Sequence, residues 1–233
     1  MNSDLPKVLC PVVDRAMIHF VIDALEKAGI HRQIVVVGYE ADAVRRELSA
    51  RGGNIEFALQ SEQLGTGHAV QMCRPQLEQQ SGPTIVVAGD SPLIQPESLQ
   101  KLLAQFDQSK PALLLGTLKK ADPTGLGRIV RDAAGNFTGI VEHKDATPEQ
   151  LLIDEVNMST YLFNTPDLLQ SLDMLGNDNA QGEYYLTDSA RLLNEAGKKV
   201  EASAVLQECE SLSINNPSEL ALVDQQMRKM GYA

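Results

Sequence analysis

Closely spaced cysteines are missing from this chain. Cys10, Cys73 and Cys209 are odd in number and far apart, with no Cys-x-x-Cys pair and no Cys/His ligand spacing. That pattern indicates neither a disulfide framework nor a zinc site, and it fits a reducing cytoplasm. No apolar stretch approaches the roughly 20 residues needed to span a bilayer, and the N-terminus has no charged-then-apolar signal pattern. The chain is expected to be soluble, with no membrane partner. Lys and Arg are scarce, 20 against 31 Asp and Glu, for a net charge of -11. Binding a phosphate backbone rests on clustered Lys and Arg, so a nucleic acid partner is not expected. A small phosphate ligand remains open, but it must be met by local devices such as backbone N–H groups, a single Lys or a divalent cation. Internal repeats, low-complexity tracts and long linkers are absent too, and 233 residues can bury one large core. A single domain over 1–233 is expected.

Two segments say the most. The first is Gln60-Ser61-Glu62-Gln63-Leu64-Gly65-Thr66-Gly67-His68-Ala69, and the second is the apolar run Thr84-Ile85-Val86-Val87-Ala88 ending in Gly89-Asp90. A small-residue turn that opens a helix, followed by a strand that delivers a carboxylate at its C-terminal end, is how α/β proteins hold nucleotides and metal ions. The pair points to a nucleotide-handling enzyme.

Strand-like runs alternate with helical patterns around these segments. Met17, Ile18, Val21, Ile22, Leu25 and Ala28 recur at helical spacing, Gly29 supplies a stop, and Ile34-Val35-Val36-Val37-Gly38 reads as a fully buried strand. The pattern then predicts a helix near Ala41–Ala50, a strand near Asn54–Leu59, a helix opening at Thr66, a strand over Thr84–Ala88 and a helix over Pro96–Phe106. This rhythm implies an α/β fold with a mostly parallel sheet covered on both faces. The second half changes character: Ala112–Leu118 reads as a strand, and Ile129–Arg131 and Phe137–Glu142 flank the turn Ala133-Ala134-Gly135-Asn136. Thr165-Pro166 and Asn216-Pro217 each place a capping side chain before a proline suited to a first helical turn. The C-terminal half should therefore add antiparallel strands, forming the substrate-specific side of one cleft.

Each candidate also has a plain structural reading. Gly65-Thr66-Gly67 alone is usually just a tight strand-to-helix connection, and Gly89-Asp90 alone an ordinary loop start, although its place after an apolar strand favours a ligand. His68 reads as a helix-face residue with no chemical role. By composition Lys7 is one solvated Lys among many, and Glu142 and Asp145 around His143-Lys144 form a run of mixed charge, usually a solvated face. The adjacent tyrosines of Gly182-Glu183-Tyr184-Tyr185-Leu186-Thr187-Asp188 read as packing.

Taken together, five motifs in one order resemble a known family. Met1-Asn2-Ser3-Asp4-Leu5-Pro6-Lys7, Gln63-Leu64-Gly65-Thr66-Gly67-His68-Ala69, Gly127-Arg128-Ile129, the stretch from Ile140 to Thr147 and the stretch from Asn179 to Asp188 resemble the uridyltransferase domain of bacterial N-acetylglucosamine-1-phosphate uridyltransferases. The resemblance runs from Met1 to about Asn216 and implies a Rossmann-like nucleotide-diphospho-sugar transferase fold, with a nucleotide-binding half over about 1–110 and a sugar-binding half over about 111–233. It implies the reaction of UTP with N-acetylglucosamine 1-phosphate to give UDP-N-acetylglucosamine and pyrophosphate, with Mg²⁺. By the same resemblance Asp90 and Asn215 are the metal ligands, and Lys7 is the cation near the nucleotide phosphates. Gln60, Gly65 and Thr66 are uracil-binding positions, with Gly89 beside Asp90 also lining the substrate site. Gly127, Glu142 and Asn157 hold the amino sugar.

Three departures from the family pattern stand out. In the family a strand and a Gly-rich loop ending Gly-x-Gly-Thr-Arg-Met come before the Pro-Lys segment, whereas here Met1 takes the place of that last Met. Losing one charge-stabilising donor typically costs about 10²–10³ in rate, so a chain without that loop and strand is expected to be inactive unless its start lies upstream, and an internal methionine is the expectation. Finding Met1 at the N-terminus of the native protein would sink that expectation. Asn157-Met158-Ser159 stands where the family has a small residue and then Gly after the Asn. No hexapeptide repeats follow, so only the uridyltransferase activity is implied. Two alternatives stay open: a nucleotidyltransferase for another sugar phosphate, and an inactive module that binds nucleotide sugars.

Overall fold

The computed structural model describes residues 5–80 and 82–232, so Met1 to Asp4 of the first motif lie outside the described residues. A 3₁₀ turn (Lys7–Leu9) leads into β1 (Pro11–Val12) and β2 (Arg15–Ala16), an antiparallel hairpin. Its two turn residues, Val13 and Asp14, both take positive φ, as a type I′ connection requires. α1 (Met17–Lys27) buries Met17, Ile18, Val21, Ile22 and Leu25 on one face, the helical spacing read from the sequence, and Gly29 at φ +92° follows its end. Next come β3 (Arg32–Val37), α2 (Ala41–Ser49), β4 (Asn54–Leu59), α3 (Thr66–Gln71), α4 (Arg74–Leu77), β5 (Pro83–Val86) and α5 (Pro96–Ser109). The second half holds β6 (Leu113–Lys119), β7 (Arg128–Arg131), β8 (Phe137–Val141), α6 (Pro148–Leu151), β9 (Glu155–Asn164), α7 (Thr165–Met174), α8 (Asp188–Glu195) and β10 (Val200–Ser203). A second 3₁₀ turn (Glu208–Ser211) precedes α9 (Pro217–Lys229).

The chain forms two compact units. The first combines the described parts of Met1–Ser61, Ala88–Gln100 and Gln207–Ala233. Its strands β3 and β4 pair in parallel, from Arg32↔Asn54 to Val37↔Leu59. One of its apolar clusters draws on all three segments: Cys10, Val12, Met17 and Phe20 from the first, Leu93 from the second, Ile214, Val223 and Met227 from the third. Burial of such side chains, at roughly 25 cal/mol per Å², is what holds these distant stretches together.

The second unit combines Glu62–Val87 and Lys101–Leu206. Its sheet runs β10-β6-β9-β7-β8. β9 is ten residues long and carries β6 along one edge, with β5 and β7 on the other. These pairings are antiparallel, and between the strands named here parallel pairing is confined to β3–β4 and β10–β6. The antiparallel addition is thus larger than the sequence pattern implies, because β9, which makes three of the antiparallel pairings, carries no strand signal in the sequence. The β6–β9 register shifts after Gly116, where Thr117 pairs with Asn157 and Gly116 with Thr160. Met158 and Ser159 form the resulting bulge, with Ser159 at φ +53°.

The β7–β8 hairpin forms where expected, and the Asp132 carboxylate accepts the Ala134 and Asn136 N–H groups. Asn216 caps α9 as expected by accepting the Glu219 N–H at 2.9 Å. Thr165 differs from its expected role. It is the first residue of α7 rather than its cap, and its hydroxyl lies 2.7 Å from that of Thr84, so it serves tertiary packing instead.

Candidate functional site

In the first unit, three candidate residues meet on one nitrogen. Pro6 starts the 3₁₀ turn by accepting the Leu9 N–H, and the turn presents Lys7. Lys7 Nζ donates to Asp90 Oδ2 at 2.5 Å and to Asn215 Oδ1 at 2.8 Å. The partners lie 83 and 208 residues away in sequence. Each is held by its own segment. Asn215 sits just before the α9 cap, its N–H donates to Glu219 Oε2 at 2.6 Å, and the preceding Ile214 is fully buried in the three-segment cluster. Asp90 is followed by Leu93, fully buried in the same cluster. Gly89 packs closely, since a Cβ there would come within 3.3 Å of Ile18 Cδ1 and 3.4 Å of Val8 Cγ1. Gln60 follows β4, where its N–H donates to Val37 O.

A buried carboxylate ties the loops that carry Asp90 and Asn215. Glu210 Oε1 accepts the Gln95 N–H at 3.0 Å, and its Oε2 accepts the Ser98 hydroxyl at 2.6 Å and the Gln207 N–H at 2.7 Å. Burial pushes the Glu210 carboxyl above the usual range, against the lowering effect of these hydrogen bonds.

In the second unit the Gly-rich turn and the tyrosine motif lie against each other. Gly67 N–H donates to Tyr184 O at 2.7 Å, Tyr184 N–H to Leu64 O at 2.8 Å, and Leu186 N–H to the Thr66 hydroxyl at 3.1 Å. Gly65 has φ +103°, and a Cβ there would fall 2.6 Å from Tyr184 O, so glycine is required on both counts. These contacts are made by the Tyr184 and Leu186 backbone and give the turn a defined shape.

The second unit also gathers Gly127, Glu142 and Asn157. Asn157 N–H donates to Gly127 O at 2.9 Å, and a Cβ at Gly127 would approach Glu142 Oε1 at 3.4 Å. The Asn157 side chain donates to Tyr161 Oη at 3.0 Å and accepts the Ser159 N–H at 3.2 Å. Burial, with the charge of Glu142 adding to it, pushes the Tyr161 phenol up. Arg128, next to Gly127, is 1% exposed and reaches Leu126 O and His143 Nδ1, so the His143-Lys144 run is only partly a solvated face.

A nucleotidyl transferase family model matches residues 1–207. The chain belongs to the nucleotidyl transferase family. Within that family it is 45% identical over 229 residues to the bifunctional protein GlmU of Exiguobacterium sibiricum, covering 98% of this chain and 50% of that protein. The GlmU of Clostridioides difficile is 39% identical over 229 residues, again 98% of this chain and 49% of the relative. This nucleotidyl transferase chain thus spans about half the length of the curated relatives it matches. Its fold is that of a UDP-glucose pyrophosphorylase solved with UDP-glucose, at TM-score 0.77 and 15% identity, covering 97% of this chain and 91% of that one. The expected Rossmann-like transferase fold is therefore present.

Sequence reasoning missed two supports of these groups. Tyr161 follows Asn157 on β9 across the Met158-Ser159 bulge, and the β6 register brings both to one face, which no regular alternation in the sequence marks. Glu210 lies in a mixed-polarity stretch, Gln207-Glu208-Cys209-Glu210-Ser211, with no periodicity to mark it as buried.

Proposed function

We propose that this chain joins UTP and N-acetylglucosamine 1-phosphate, giving UDP-N-acetylglucosamine and pyrophosphate, with Mg²⁺ as cofactor. The observation that carries the reading is the meeting of Lys7, Asp90 and Asn215 around one nitrogen in a nucleotidyl transferase chain. Identity of 38–45% to bifunctional GlmU proteins supports this choice of substrates. The donor set fits the metal. Asp90 and Asn215 turn two hard oxygens toward one cation, and no cluster of three His, Cys, Asp or Glu occurs among the described residues. Mg²⁺ takes few protein oxygens and fills its shell with phosphates and water. When bound it supplies charge neutralisation on the phosphates and orients them.

The residues around it have separate tasks. The reaction brings two anions together as a phosphate oxygen of the sugar phosphate attacks the α-phosphorus of UTP and the bond to the pyrophosphate oxygen breaks. Lys7 spreads the charge that develops on those oxygens, and no covalent enzyme intermediate is needed. In the second unit Gly65 and Thr66 serve as uracil-binding positions, and in the first unit Gln60 serves the uridine while Gly89 leaves room beside Asp90. Glu142 offers an acceptor to the sugar hydroxyls, and Gly127 and Asn157 fix the backbone around it. The cytoplasm is the proposed setting: Cys10, Cys73 and Cys209 are free thiols, that of Cys73 pushed up to about 11 by burial. No described helix is long and apolar enough to cross a membrane.

The test is pyrophosphate release from UTP, Mg²⁺ and N-acetylglucosamine 1-phosphate, with glucose 1-phosphate as the alternative substrate, comparing this chain with a version extended upstream through its reading frame. Asp90→Asn and Lys7→Met are each expected to slow turnover by about 10²–10³. Equal turnover of glucose 1-phosphate would remove the sugar assignment, and an unimpaired Asp90→Asn variant would remove the site.

A further inference from the structure

We propose that Glu210 is a positioning residue for the divalent cation, setting the separation of Asp90 and Asn215 by locking together the two loops that carry them. The inference rests on the assignment of Asp90 and Asn215 as metal ligands. Glu210 lies five residues before Asn215, and the Gln95 N–H it accepts lies five residues after Asp90. One carboxylate is therefore the common anchor of both loops. Its second oxygen takes the Ser98 hydroxyl in the first turns of α5 and the Gln207 N–H of its own turn, so each oxygen is engaged and the side chain has little freedom to rotate. Gln95 in turn donates its side-chain amide to Leu93 O at 2.6 Å, which stiffens the stretch between Asp90 and the anchor. Beyond the anchor, Ile214 is pinned in the same apolar cluster as Leu93. The path from Asp90 to Asn215 is thus fixed at Leu93, Gln95, Glu210 and Ile214.

The chemistry favours positioning over a purely structural role. Glu210 is 7% exposed, and among the described residues no Lys or Arg pairs with it. A buried carboxylate met only by neutral donors is a poor source of stability, because its desolvation is not offset by an opposite charge. What it does supply is direction: a charged acceptor makes short hydrogen bonds that a neutral side chain holds less firmly. A metal with two protein ligands depends on that rigidity, since outer residues that orient ligands typically change metal affinity by about 10–100-fold.

The experiment is Mn²⁺ binding in the presence of UTP, read as free Mn²⁺ by electron paramagnetic resonance, for wild type, Glu210→Gln, Ser98→Ala, Asp90→Asn and Val44→Ala. Val44 is buried on α2 in a separate apolar cluster of the first unit and serves as a control for lost stability. Glu210→Gln is expected to weaken Mn²⁺ by about 10-fold or more. Ser98→Ala should weaken it less, and Val44→Ala should leave it unchanged although its melting temperature falls. Wild-type affinity in Glu210→Gln overturns the proposal, as does a loss in Val44→Ala as large as in Glu210→Gln. Should Glu210→Gln not fold, Ser98→Ala decides on the same criterion. If Asp90→Asn binds Mn²⁺ as wild type does, the ligand assignment fails instead, an outcome distinct from failure of the Glu210 lock.

Discussion

Asp14 and Lys7 show how differently single residues can be read. Asp14 occupies the second central position of the β1–β2 turn at φ +65°, with its side chain 94% exposed. A side chain in the left-handed region costs roughly 1–2 kcal/mol, partly offset by the larger entropy of an unfolded Gly, so Asp14→Gly is expected to stabilise the fold by up to about 1 kcal/mol, measurable as a rise in the denaturant midpoint. A drop would mean that the 3.9 Å approach of Arg228 to Asp14 matters more than a surface ion pair usually does. Nothing in the composition marks Lys7, since a lone Lys is normally solvated, and its proposed role rests on the motif around it. In the structure the Asp90 and Asn215 side chains both meet its ammonium. His68 held to its plain reading as a helix residue, and its ring lies 6.4 Å from that of Tyr184.

At the scale of elements, caps and periodicity were the legible part. α9 starts where Asn216-Pro217 said it would, and the Asn216 side chain satisfies a helix N–H that has no partner within the helix. Asn216→Ala should therefore lower stability by about 1 kcal/mol. It should also loosen Asn215, whose N–H is bonded to Glu219 in the same first turn, so weaker Mn²⁺ binding is expected alongside the shift in melting. An unchanged melting temperature would show that the cap contributes nothing here. β9 was the largest element left unread. Its bulge at Met158-Ser159 breaks the two-residue alternation, and its polar residues Glu155, Asn157 and Thr160 are all buried, so polarity gave the wrong cue. Those burials are made tolerable by hydrogen-bond partners: Thr117 of β6 and Arg131 of β7 on Glu155, and Tyr161 of β9 itself on Asn157.

For the molecule as a whole, the carboxylates make pH a revealing variable. Burial alone would raise the Asp23 and Glu155 carboxyls, but hydrogen bonds from Arg15 and Arg51 to Asp23, and from Arg131 and Thr117 to Glu155, outweigh it and hold both below the usual range. A depressed folded pKa gives stability that is present above the unfolded value near 4 and is lost as pH falls through the folded value. Glu210 has the opposite sign: its raised pKa favours the fold below the unfolded value, and that contribution is lost as pH rises through the folded one. The melting temperature is therefore expected to rise as pH falls through the raised folded pKa of Glu210, and to fall once pH drops below about 4, as followed by calorimetry. A melting temperature that shows no rise anywhere as pH is lowered toward the usual carboxylate range would remove Glu210 as a contributor. The α/β character, the main helices, the hairpin and the motifs that mark the site were determined by sequence alone, because periodicity, capping and turn chemistry act over a few residues. The meeting of Lys7, Asp90 and Asn215, the central place of β9 and the Glu210 lock were decided by tertiary structure, because burial of apolar clusters and pairing of buried polar groups join residues up to 208 positions apart, and no local signal records such a contact.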